Sequence, residues 1–488
     1  MRGKRSILIA CAAALGVCQI IASAWMFPIP GGDAAGFIPP AVNLKAGRGL
    51  TNSLWLITGD PQGKDRYLEL PPVFQMTVAA CMWRAETRNA FIVLGIFNAL
   101  TLWLYAAFLC TAESTRRLMA THFGFAVALS SLFALAFLIF SSSSGRPEAL
   151  TGLVLSCAIA VVVWSPKKWW PWCLGLAAGI AGATHPTHGI FLGCFVAIAF
   201  VLTHGIAEAV RKLMITGALA MAIAWGLLSL GPYGVMETLL AIRVHAAHAN
   251  FADYRLSTLM TYYGKLAPWT GLYLLGFSSV LLAAGVHLYR TAPDRAARVA
   301  RLGTLLLAAA AFWYFSVRSP NKSYYLLLLA PAVALAALVL LDRSTVASRR
   351  AVTFPLAIAA AFFGLFSLFF VRDAALFANY LNHGVSFFDA QAEFRSLPQT
   401  SEKISVSESL WVLADDYRRI RRIERGSASG DVMVVQQSQR QSLVPPSFPG
   451  YRMVSERFVS RRPTLFGLPI GRTMPGYSFA VYEKDPAP

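Results

Sequence analysis

A single acid, Asp33, stands in MFPIPGGDAAGFIPPAVNLKAGRGL (Met26 to Leu50), just after the apolar run that opens the chain. The two glycines before it permit backbone paths closed to other residues. An ionisable group where an apolar segment ends can act as a general base or an ion partner. It can equally be a solvated acid or the cap of a following helix. Further clusters carry related chemistry. In GDPQGKDRYLELPPVF, Lys64 and Arg66 sit in a Gly/Pro-punctuated loop, placed either to clamp an anionic lipid phosphate or to meet lipid headgroups. SSSSGRPEAL puts Glu148 in a first helical turn after Pro147, where the helix dipole favours an acid. The sharper reading makes Glu148 a second carboxylate facing Asp33 across a cavity, able to share a divalent metal. Arg146 is then its neutralising partner or a phosphate contact. ATHPTHG sets His185 and His188 three apart at a helix-to-helix turn. That spacing can serve a metal, but Pro186 separates them and no third ligand is evident, which favours a polar turn at the acceptor side of a cavity. His245 and His248 in RVHAAHANFADY are read in the same way. Finally, SVRSPNKSYYLLLLAP brings Arg318, Lys322, Tyr324 and Tyr325 to one interface. Two cations and two phenols there can hold a phosphate, or they form an aromatic belt with snorkelling bases.

The elements that must position these residues are membrane helices. The chain has 488 residues, 56% hydrophobic and 14% charged, against about 25% charged in soluble domains. Apolar runs long enough to cross a bilayer recur as far as Val371. They are continuous rather than alternating, which selects helices over a barrel. The net charge of +19 gathers in short loops, such as Arg116/Arg117, Lys167/Lys168 and Arg211/Lys212. That pattern is positive-inside topology and not a nucleic-acid surface. It predicts about eleven spans, near 6–27, 89–110, 119–141, 148–165, 169–183, 187–204, 213–231, 269–288, 302–317, 323–341 and 352–371. The first run resembles a signal peptide but has the length of a span, so it is read as a retained helix with a cytoplasmic N-terminus.

The apolar piece Pro71 to Trp83 is too short to cross and is expected to lie at the interface. Ala41 and Leu44 share a face of a short surface helix that stops at Gly47, with Pro39 and Pro40 interrupting its start. Loops 28–88 and 232–268 are long and rich in Gly, Pro and aromatic residues, which puts the work on the outer face. The seven cysteines form no disulfide framework and no zinc spacing. Residues 1–371 are therefore the membrane domain. Half of the 24 acidic residues follow it, and 372–488 reads as a small extracytoplasmic α/β domain. Its strands are expected in KISVSESLWVLA, VMVVQQS and YSFAVYE, and a helix in ADDYRRIRRIE.

The pieces occur in a particular order: a lone acid after the first span, an AxxLxxGxGL helix, a Lys-containing loop running into Pro-Pro, RPE after the third span, a T(H/K)PT turn, and K-x-x-Y followed by AP at a late span. In this the chain resembles the GT-C glycosyltransferases that use polyprenyl-phosphate sugars, and within them the branch holding the protein O-mannosyltransferases and the lipid A aminoarabinose transferase. The likeness covers most of 1–371 as pattern and topology. It implies a GT-C-like fold in a bacterial inner membrane, with a cavity at the periplasmic surface. A polyprenyl-phosphate-linked sugar would enter from the bilayer, and a cell-envelope glycan, lipid or protein acceptor from water. Asp33 matches the family's general base, while Lys64, Arg318, Lys322 and Tyr325 match groups that stabilise the leaving phosphate. Inversion at the anomeric carbon is implied. Ala34 stands where many relatives carry a second acid, so either Glu148 compensates at a divalent metal or the enzyme is metal-independent. The competing classes are a transporter or flippase, which calls for broken helices at the midplane and paired repeats, and a sensor or assembly scaffold.

Overall fold

A computed structural model of the chain describes residues 2–30, 33–54, 71–112, 119–142, 145–248, isolated positions between 286 and 303, 349–397, 403–407, 409–423, 430–436, 447–457, 464–469 and 476–485. Its helices run in the order α1 (Arg2–Ala24), α2 (Ala34–Lys45), α3 (Val73–Cys81), α4 (Thr87–Thr111), α5 (His122–Ser142), α6 (Glu148–Trp164), α7 (Trp170–Thr184), α8 (Pro186–Thr203), α9 (Ile206–Ser229), α10 (Gly234–His248), α11 (Arg349–His383) and α12 (Phe387–Ser396).

Among the described residues five helices, α1, α4, α5, α8 and α9, are long and apolar enough to cross a bilayer. The chain is a membrane protein by that measure. α6 and α7, at 17 and 15 residues, are shorter, about 25 and 22 Å against a hydrocarbon core of about 30 Å. The predicted spans at 269–288, 302–317 and 323–341 lie wholly or mostly outside the described residues, and 352–371 falls within α11. α3 has nine residues, about 14 Å of helix, too short to cross.

α1 and α4 pack antiparallel. Trp103 Nε1 donates to the Ala12 carbonyl at 3.1 Å, and Arg88 Nε to that of Ala24 at 2.9 Å. α2 corrects two expectations. It is not a surface helix, since every residue from Ala34 to Asn43 is buried, and it runs through Pro39 and Pro40 without interruption. A proline inside a helix leaves the carbonyl four residues back without its N–H partner. For Pro39 that carbonyl is Ala35, and the buried Asn52 side-chain amide donates to it at 2.9 Å. The missing backbone donor is thus replaced from the next segment.

The C-terminal region forms a five-stranded mixed sheet in the order β2-β1-β3-β7-β4: β1 (Ile404–Val406), β2 (Ile420–Arg422), β3 (Val432–Gln436), β4 (Tyr451–Arg457) and β7 (Phe479–Lys484). β1 pairs parallel with β2 and β3, and β7 antiparallel with β3 and β4. β5 (Thr464–Leu465) and β6 (Leu468–Pro469) form a separate hairpin. The predicted helix in ADDYRRIRRIE is instead a 3-10 turn, Tyr417–Arg419, followed by β2. Burial of Tyr417 and Ile420 and the ladder to β1 outweigh local helix preference. α11 runs through position 371. One buried apolar cluster joins Met26, Ile38, Phe74 and Phe91 to Phe387, Trp411, Tyr417 and Tyr477.

Candidate active site

Three helix N-termini meet at one polar cluster. Asp33 directly precedes α2, Glu148 opens α6, and His188 lies in the first turn of α8. Pro147 and Pro186 stand at the starts of α6 and α8, where a missing N–H costs nothing. Gly145 brings the α6 start against α2. Its φ of +90° lies in the left-handed region, and a Cβ there would come within 2.5 Å of the Ala34 Cβ and 3.2 Å of the Phe91 ring.

This approach lets Arg146 bridge two acids. Its Nε and Nη2 donate to the two oxygens of Glu148 at 3.2 and 3.4 Å. Its Nη1 donates to Asp33 Oδ2. The guanidinium also lies over the Phe37 ring, 5.4 Å from its centroid. On the far side of Glu148, His188 Nε2 is 3.5 Å from Oε1, and Nδ1 is 2.7 Å from the Thr151 hydroxyl, which reaches the Pro147 carbonyl. His185 stacks on His188, ring centroids 4.5 Å apart. Burial is graded along the row: the Glu148 and His188 side chains are 0% exposed, Arg146 10% and Asp33 40%. A buried carboxylate needs a hydrogen-bonded counter-charge, and Arg146 supplies it in bidentate form. The positive ends of the surrounding helices favour the same charge.

The expected site residues that are described have these places. Asp33 occupies the capping position of α2, yet its side chain makes no cap hydrogen bond. Its backbone is helical rather than extended (φ −59°, ψ −30°), and its carboxylate goes to Arg146 instead. Glu148 does not face Asp33 across an open cavity, because the Arg146 guanidinium lies between them. A second cation between those acids would be repelled by that charge, so the arrangement does not fit a shared divalent metal. Among the described residues no three His, Cys, Asp or Glu side chains gather to hold a metal ion. His188 is fully buried behind Glu148, within hydrogen-bond distance of Thr151. Lys64, Arg66, Arg318, Lys322, Tyr324 and Tyr325 lie outside the described residues. His245 and His248 fall at the end of α10. Sequence reasoning missed Gly145, Phe37 and Thr151. The last had a signal, one helical turn after Glu148 on the same face.

No protein-family model matches this chain, and no curated protein sequence matches it.

Proposed function

We propose that this chain is a membrane glycosyltransferase that moves a sugar from a polyprenyl-phosphate donor to an acceptor hydroxyl on the periplasmic face of a bacterial inner membrane. The observation that carries the reading is Asp33. It is the exposed end of an otherwise buried row of charges, at the point where the first apolar helix gives way to α2. A general base needs a fixed carboxylate that can meet a substrate proton. Arg146 holds Oδ2, Glu148 holds Arg146, and the solvent-facing part of Asp33 can reach an acceptor. In the proposed step the acceptor oxygen attacks the anomeric carbon from the face opposite the phosphate. Its proton passes to the Asp33 carboxylate. The bond from the anomeric carbon to the phosphate oxygen breaks, and the electron pair leaves on the polyprenyl phosphate. Lys64, Arg66, Arg318, Lys322, Tyr324 and Tyr325 are assigned by sequence pattern to the leaving phosphate, where cations and phenols offset accumulating negative charge. The order of motifs from Asp33 to Tyr325 supports the same reading.

The test is sugar release from a panel of polyprenyl-phosphate sugars by purified protein in lipid nanodiscs, with products followed by mass. Asp33→Asn should lower turnover about 100-fold or more while unfolding stays close to wild type, since the side chain is 40% exposed. Full turnover in that variant removes Asp33 from the chemistry. Movement of an intact lipid-linked sugar across proteoliposomes, with no bond cleaved, would establish a flippase instead.

A further inference from the structure

The turn at the end of α1 is held from outside. Helix α1 closes with paired bonds, Phe27 N–H to the Ala22 carbonyl at 2.9 Å and Met26 N–H to that of Ser23 at 3.0 Å. This closure puts one residue in the left-handed region, usually a glycine. Here that residue is Met26, φ +55° and fully buried. A side chain in that conformation persists when its surroundings over-determine it. Three side chains supply the constraint. Arg88 of α4 donates to the Ala24 carbonyl at 2.9 Å, Tyr380 of α11 to that of Trp25 at 3.0 Å, and Tyr477, beside β7, to that of Met26 at 2.7 Å. The Ala24 and Trp25 carbonyls are among the acceptors that any helix C-terminus leaves without partners, and the Met26 carbonyl follows directly in the turn.

The two tyrosines are themselves locked into the C-terminal region. The Tyr380 hydroxyl accepts from Phe387 N–H at 2.9 Å, and its ring stacks on Phe27 at 5.1 Å. Tyr477 N–H donates to the Val385 carbonyl at 2.9 Å. Gly476 has φ +90°, and a Cβ there would lie 2.2 Å from the Val385 carbonyl oxygen and 3.0 Å from the Tyr380 ring, so the backbone passes between them only as glycine. The buried Met26 side chain belongs to the same apolar cluster as Ala34, Ala35 and Ile38 of α2, the helix that Asp33 directly precedes. Close packing in that cluster couples the turn to the start of α2 and so to Asp33.

We infer that Tyr380 and Tyr477 are positioning residues for Asp33, and that the C-terminal domain serves to clamp the turn that presents this carboxylate. Its catalytic half rests on the transferase reading above. The clamp itself does not.

The experiment uses the full chain in nanodiscs and four variants: Tyr380→Phe/Tyr477→Phe together, each of the two alone, and Tyr451→Phe. The last removes a hydroxyl-to-carbonyl bond of the same kind inside the C-terminal domain, Tyr451 to Gly430 at 2.9 Å, away from the turn. Two quantities are read: amide hydrogen exchange at residues 25–27 and 33–38, and kcat and KM for donor sugar release. In the double variant exchange there should quicken tenfold or more while amides of β3 and β7 keep wild-type protection. Donor kcat should fall at least tenfold with KM within twofold. Tyr451→Phe should move neither. Unchanged exchange in the double variant overturns the clamp, whatever the activity does. Faster exchange with wild-type kcat overturns the positioning role. A wild type inert toward every donor sinks the transferase reading and the catalytic half with it, while the exchange rates still decide whether the tyrosines hold the turn.

Discussion

Replacing Glu148 with glutamine should destabilise the protein chiefly through Arg146, not through Glu148 itself. The carboxylate is fully buried and takes two bonds from a guanidinium whose side chain is 10% exposed. Removing one partner of a buried ion pair costs about 3–5 kcal/mol, because the other charge stays behind uncompensated. Glutamine keeps the shape and one acceptor oxygen, and Asp33 still offers Arg146 a charge. The loss should therefore sit at the lower end, about 3 kcal/mol, or about 140-fold in an equilibrium constant. Arg146→Met strands Glu148 in the same way and should cost about 3–5 kcal/mol. The double variant removes both charges, and its cost should fall short of the sum of the singles by about 2 kcal/mol or more. The assay is equilibrium unfolding in mixed micelles at rising SDS fraction, followed by far-ultraviolet circular dichroism. Additive single costs, or a Glu148→Gln protein within about 0.5 kcal/mol of wild type, would refute the view that this row is a buried, mutually compensated charge network.

Two other consequences are open to measurement. Gly145→Ala forces a side chain into a left-handed backbone and against Ala34 and Phe91; it should cost about 1–3 kcal/mol in the same unfolding assay and lower donor turnover, and wild-type behaviour in both would show that α2 and α6 need not approach so closely. Burial pushes the Tyr380 phenol up to about 12, from about 10 in an unfolded chain. Because the folded state holds this proton more tightly, the associated stability is complete below pH 10 and is lost as pH rises from 10 towards 12. Unfolding titrated over that range should show a decline that Tyr380→Phe makes shallower, and an equal slope in both proteins would detach the alkaline limb from Tyr380.

What the sequence determined by itself was local in origin. A run of apolar residues long enough for a bilayer stays a helix wherever it packs, since lipid offers its backbone no other partner. Helices were therefore legible at α1, α4, α5, α8 and α9. The runs of β-branched and aromatic residues that became β1, β3 and β7 were legible for a similar reason, as side chains that suit a pleated, half-buried surface. Asp33, Arg146, Glu148 and His188 stood out because ionisable residues are rare beside apolar spans.

Tertiary structure alone decided how they combine. Asp33 and Arg146 are 113 positions apart, and Thr151 and His188 are 37 apart. Nothing local says that Arg146 takes the space where a metal could have joined the acids, or that His188 is sealed behind Glu148. The same holds for α2. Its prolines argue for a break until Asn52, from another segment, restores the lost hydrogen bond. Helix propensity in ADDYRRIRRIE yielded to a ladder with β1, whose register depends on residues 16 positions away. Tyr380 and Tyr477 find their acceptors at the end of the first helix, more than 350 positions away. A hydrogen bond or ion pair between distant segments is set by where the packed elements bring their donors. Sequence spacing carries that information only within a helical turn or along one strand.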